Sequence, residues 1–171
     1  MQPALIVVMC VGAAVTYGVL HDQVTARVCV EYFTIGHDPN VIPTTNPTLL
    51  ALGWGVLSTW WVGLGLGVVL AVAARVGPRP VRSARSLVRP LLFLIAVMAV
   101  MAFVSGVAGY FLAEQKRVWL VPPLADQVPA PKHAAFLACG FAHMTSYVVG
   151  FAGGGVQIAR VWLSRRRPCL P

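Results

Sequence analysis

A chain of 171 residues has the length of one soluble domain, yet 58% of it is apolar and only 11% charged, with a mean hydropathy of +0.77. Soluble domains run nearer half apolar and about a quarter charged, so this composition argues against one and for spans across a hydrocarbon layer about 30 Å thick. The net charge of +8 does not imply nucleic acid: most of the arginines abut apolar runs, and neither an RNA-binding signature nor zinc-finger spacing occurs.

The first apolar run, Ala4 to Leu20, is predicted to be a helix that is retained, because Met1-Gln2-Pro3 lacks the positive charge that precedes a signal-peptide core. The stretch from His21 to Asn46 follows. Its first half has neither Pro nor Gly and extends the helix by several turns in this reading. Gly36 is the expected stop, and Pro39, Pro43 and Pro47 make the rest a loop. The second span covers residues 48–74, where Gly55, Thr59, Gly63, Gly67 and Ala71 recur at every fourth position. That spacing forms one face on which another helix can approach closely. An arginine-rich connection, residues 75–90, leads to a third span at 91–113 containing Ser105 and Gly109. A proline-rich connection precedes the fourth span at 133–163, which carries Gly150 and Gly154. The expected fold is therefore all-α: a four-helix transmembrane bundle forming one domain over residues 1–171, with an extracytoplasmic segment after the first helix.

Nine arginines fall in the second connection and the C-terminal end: Arg75, Arg79, Arg82, Arg85, Arg89, Arg160, Arg165, Arg166 and Arg167. The positive-inside rule places both regions, and hence both termini, in the cytoplasm. All five acidic residues (Asp22, Glu31, Asp38, Glu114, Asp126) and all four histidines (His21, His37, His133, His143) then fall on the outer side. Acidic residues contribute little to orientation, so this asymmetry is not a by-product of topology. Of the cysteines, Cys10 is expected in the membrane and Cys169 in the cytoplasm. Cys29 and Cys139 fall towards the outer side, where two free thiols packed as small apolar residues are expected over a disulfide.

The densest cluster of reactive side chains is HDQVTARVCVEYFTIGH, residues 21–37. On a helix, His21, Thr25 and Tyr32 share one face, while Glu31 lies opposite Asp22. A single straight helix therefore cannot gather every ligand type. Glu114 closes the third span, His133 opens the fourth, and His143 lies about 15 Å farther along it. An ionisable residue at that depth is costly in lipid and is expected to face the bundle interior, as the residue of a functional site.

Imidazole and carboxylate are ordinary ligands of zinc, iron and manganese. The reading that follows is a divalent metal site with His21, His37 and His143 as ligands. Asp22 and Glu31 are the catalytic carboxylates, and Glu114, Tyr32, Thr25 and His133 are further polar candidates. The plain alternative is structural: His21 and Asp22 at the helix end, Glu31 paired with Arg27, and His143 bonded to Tyr or Ser between helices. The zincin and paired Glu-x-x-His patterns are absent, as are a nucleophile elbow and a P-loop. Haem ligation by His133 with His143 is excluded by spacing, whereas His21 with His143 stays open.

The stretch HDQVTARVCVEYFTIGH, with NPTLLALGWG and Trp60-Trp61 after it, resembles small bacterial membrane proteins that share such a segment, a group with no known activity. The resemblance spans roughly the first 65 residues. It implies a bacterial inner membrane and nothing about chemistry. The expected function is a multi-pass membrane protein with an outward-facing His/carboxylate metal site, acting on a lipid or quinone-like molecule if it is an enzyme. A non-enzymatic assembly protein and a small proton-coupled transporter are the alternatives.

Overall fold

The computed structural model describes residues 1–165; Arg166, Arg167 and Cys169 lie outside the described residues. The described residues hold helices and no strand. Helix α1 spans Gln2–Val28, and its 27 residues extend about 40 Å, enough to cross a bilayer. A four-residue turn of helix, α2 (Glu31–Thr34), follows after a break at Cys29. The second span is two helices, α3 (Pro47–Leu57) and α4 (Trp60–Arg75). The third is α5 (Ala84–Glu114). A short α6 (Leu124–Gln127) and a 3₁₀ turn at Ala130–Lys132 lead into α7 (His133–Ser164). All four spans are long and apolar enough to cross a membrane.

Local chemistry explains the element boundaries. At α3, the Asn46 side chain accepts from the backbone N–H groups of Thr48 and Leu49 at 2.9 and 3.2 Å, and Pro47 occupies the first turn, where no N–H is missed. At the break between α3 and α4, Ser58 and Thr59 each turn a hydroxyl back to the carbonyl four residues earlier, Trp54 and Gly55, at 2.5 Å. Such back-bonding competes with the helical ladder and bends helices. The Ser58 carbonyl instead accepts from the Tyr147 hydroxyl at 3.2 Å. Broken backbone at membrane depth is tolerated where protein or a cavity surrounds it, as here.

The bundle is two helical pairs. Helix α1 packs chiefly on α3 and α4, and α5 on α7. Small residues let the first pair close: a methyl on Gly63 would meet Val11 Cα at 2.7 Å, and one on Gly55 would meet Val19 Cα at 2.6 Å. The four-residue periodicity thus marks the face that receives α1. In the second pair, Gly109 lies under the Phe141 ring. Helices α4 and α7 join the pairs, with Gly154 against Leu66.

Two apolar cores close the ends of the bundle. One, around Ile6, Leu70, Ala74 and Leu87, lies at the arginine-rich end. The other end holds Cys29, Val128, Phe136 and Cys139, with Ala26, Phe33 and Leu50 beside them. Many large apolar side chains point outward, Phe93 and Phe103 each 71% exposed. In water these would be an aggregation hazard; in a bilayer they meet lipid chains.

At the arginine-rich end Arg165 is buried, 1% exposed, and donates to the carbonyls of Ala73, Val76, Arg79 and Pro80. It caps the C-terminus of α4 and the turn beyond it, where helical carbonyls lack partners.

Candidate functional site

Between the two cores, α1 and α7 bring three ligand side chains together. One ligand atom from each of His21, Asp22 and His143 lies within 4.8 Å of the others. His21 and Asp22 are neighbours one turn below Thr25, whose hydroxyl bonds the His21 carbonyl at 3.2 Å. Asp22 is buried at 3% exposure, and His143 Nε2 lies 3.1 Å from its Oδ1. The other ring nitrogen of His143, Nδ1, is 2.8 Å from the Cys139 carbonyl. His21 Nε2 is buried without a hydrogen-bond partner. The His21 and His143 rings meet edge to face with centroids 4.5 Å apart, which leaves no room for a porphyrin between them.

Tyr17 and Ser146 frame this group from below, their hydroxyls 2.7 Å apart. The bond joins α1 to α7, as the Asp22–His143 contact does. Neither residue was a site candidate from the sequence, although helical spacing holds the signal: Tyr17 is one turn before His21, and Ser146 one turn after His143. Beneath the group, a cavity of about 110 Å³ runs between the helices past Ser58, Thr59 and Gly63 to Gln157.

The helix break after Val28 decides where the remaining candidates go. Tyr32 and Phe33 fold back over the site, with ring centroids 4.6 and 5.7 Å from His143. His37 packs on Tyr32, Phe33 and Trp54, its Nδ1 3.0 Å from the Tyr32 carbonyl, and contributes no atom to the three-ligand group. Burial pushes its pKa down and that of the Tyr32 hydroxyl up. Glu31 turns the other way. Its carboxylate lies 3.4 Å from Cys29 Sγ and 4.0 Å from Lys132 Nζ. The expected Arg27–Glu31 pair is not formed, because the helix ends between them; Arg27 bonds Gln23 and Thr48 instead. Cys29 and Cys139 are free and buried, and desolvation raises the Cys29 thiol to about 11. Thr25 is buried beside the site, His133 Nε2 is 2.9 Å from the Val128 carbonyl, and Glu114 is exposed at the end of α5.

The group's chemistry follows from its donors. Two imidazoles and one carboxylate suit a borderline divalent metal and leave coordination positions open. Bonds of about 2.0–2.2 Å hold donor atoms no more than roughly 4.4 Å apart. A metal would therefore draw this group together by about half an ångström or less.

No family model matches this chain, and comparison with curated proteins and with solved structures likewise found no match.

Proposed function

We propose that this protein is a bacterial inner-membrane protein, both termini cytoplasmic, holding one divalent transition metal with His21, Asp22 and His143. The observation that carries the reading is the convergence of three ligand atoms within 4.8 Å from two helices 121 residues apart in sequence. The unpartnered His21 Nε2 supports it, since a buried imidazole nitrogen without a bond loses free energy that a ligand restores. Two histidines and one carboxylate form the donor set of non-haem Fe(II) sites, and zinc and manganese accept the same donors. The open positions suit a substrate or metal-bound water, and the apolar surroundings suit a membrane-proximal substrate such as a lipid or quinone. The grouping of Arg75, Arg79, Arg82, Arg85 and Arg89 supports the orientation.

Elemental mass spectrometry of detergent-purified protein tests the proposal, with His21→Ala and His143→Ala beside wild type. Near-stoichiometric metal, lost in both folded variants, is the expected result. Absence of metal from wild type after reconstitution with Zn²⁺, Fe²⁺ or Mn²⁺ overturns it.

A second reading has one observation in its favour. Asp22 and His143 already share a hydrogen bond at 3.1 Å, the arrangement of a buried proton-carrying pair. Metal-free protein whose activity or stability depends on that pair would support this reading instead.

A further inference from the structure

A second cavity opens sideways from the same site. It lies between α1 and α5, with α7 as its floor, and has a volume of about 810 Å³. It runs from Val28 and Tyr110 to Gly12 and Leu92, with His21 and Tyr17 on its wall. Both residues also line the smaller interior cavity, so His21, one of the three proposed ligands, stands between the two. The groove exists because α1 leans on α3 and α4 and meets α5 less extensively, and because small residues such as Gly12 and Ala99 line it. A methyl added to Gly12 would meet nothing within 4 Å.

The groove's position identifies its occupant. It lies within spanning helices, and apart from His21, Tyr17, the Cys139 thiol and a few hydroxyls it is lined by hydrocarbon. Along α1, Gly12 to Val28 covers about 24 Å, close to one leaflet with its head-group layer, roughly half of 40–45 Å. The molecule present there at high concentration, of that length and polarity, is a diacyl phospholipid. His21 lies seven residues below Val28, about 10 Å into the groove. A head group at the groove's mouth therefore stands well away from the site, and the chain passes it.

We propose that a phospholipid of the leaflet on the side of residues 29–46 binds in this groove by an acyl chain, and that the chain is what the metal site addresses. The second half rests on the metal reading above; the first does not.

Native mass spectrometry of the full chain, delipidated and then titrated with palmitoyl-oleoyl phosphatidylethanolamine, tests the groove. Elemental analysis of the same samples tests the metal separately. Gly12→Leu and Ala99→Trp add bulk at exposed positions that line the groove, so the fold is expected to survive. Wild type should retain one lipid per chain, and each variant should weaken retention at least tenfold with metal content unchanged. The dihexanoyl lipid with the same head group should compete poorly. His143→Ala, a ligand position that does not line the groove, should lose metal and keep lipid. Equal lipid retention in wild type and both variants overturns the groove assignment, as does absence of retained lipid in wild type. A dimer that both substitutions dissociate also overturns it, because the occupant is then a second copy of the chain. Lipid retained without metal leaves the groove standing and removes only the metal.

Discussion

Asp22 Oδ1 stands 3.1 Å from His143 Nε2, and this contact joins the first and last spans beside the interior cavity. Its proton count follows from geometry. The Cys139 carbonyl can only accept, so His143 Nδ1 carries a hydrogen. One further proton must lie between Nε2 and the carboxylate, on whichever partner holds it. A metal that takes both atoms expels that proton. Metal binding near neutral pH should therefore release about one proton per site. Calorimetric titration in two buffers of different ionisation enthalpy measures it. Asp22→Asn should abolish the release and weaken metal affinity by at least ~10–100-fold, since losing a ligand should cost no less than losing its support. Binding with no buffer dependence would remove Nε2 from the ligand set.

The seam between α1 and the second span gives a prediction with an internal control. A methyl on Gly63 would meet Val11 Cα at 2.7 Å, the Cys10 carbonyl oxygen at 2.8 Å and Ala14 Cβ at 2.9 Å, two of the three being backbone atoms. Two residues on, a methyl on Gly65 would meet nothing within 4 Å. Gly63→Ala should lower stability by about 1–3 kcal/mol, the usual cost of overpacking. Gly65→Ala should be neutral or stabilising, because alanine favours the helix. Thermal unfolding of both variants in one detergent measures the difference. Equal midpoints would mean that α1 and α4 do not meet at Gly63.

The spans and the small-residue seam were legible because each depends on local repetition: apolar runs long enough to cross a bilayer, and small residues at every fourth position. The break at Ser58–Thr59 was not, since it comes from two hydroxyls competing with the ladder rather than from a proline. For the site, the sequence singled out residues 21–37 and His143 and showed that one straight helix cannot gather all the candidates, but not where the chain divides them. The chain divides them at Cys29, sending Asp22 to His143 and Glu31 to Lys132. Nothing local to residues 28–30 announces that break. Tertiary packing decides it, with Cys29 and Phe33 each buried to 1% exposure.

Arg165 belongs to a charge run that orientation alone would explain, yet its surroundings are those of a core residue. Its guanidinium reaches the carbonyls of Pro80 at 2.7 Å, Val76 at 3.0 Å and Arg79 at 3.1 Å, as well as that of Ala73. An ammonium has three donors and no planar fork, so it cannot span these acceptors. Arg165→Lys should therefore destabilise the protein by about 2 kcal/mol or more, the cost of leaving such buried groups unpaired. Arg160→Lys, in the last turns of α7 and exposed, should change little. Comparison of unfolding midpoints decides the matter, and equal behaviour of the two would reduce Arg165 to a topological charge.

His37 supplies a pH dependence of defined sign. Its ring is packed among Tyr32, Phe33 and Trp54, and burial is the main cause of its lowered pKa. The Tyr32 carbonyl bonded to Nδ1 and the charge of Asp22 oppose that shift, and His143 adds to it. A histidine depressed in the fold binds its proton more readily when unfolded. Its stabilising contribution is therefore present above the ordinary value of 6.5 and is lost as pH falls from there through the folded value. Unfolding midpoints measured at pH 7.5 and 5.5 should drop further for wild type than for His37→Gln. Glutamine keeps a donor for the Tyr32 carbonyl without a titrating ring. The Cys29 thiol, raised to about 11, stays neutral across this interval and does not contribute. Were wild type and His37→Gln to lose equal stability, the acid sensitivity would not come from His37, whose ring would then be solvated in the folded protein.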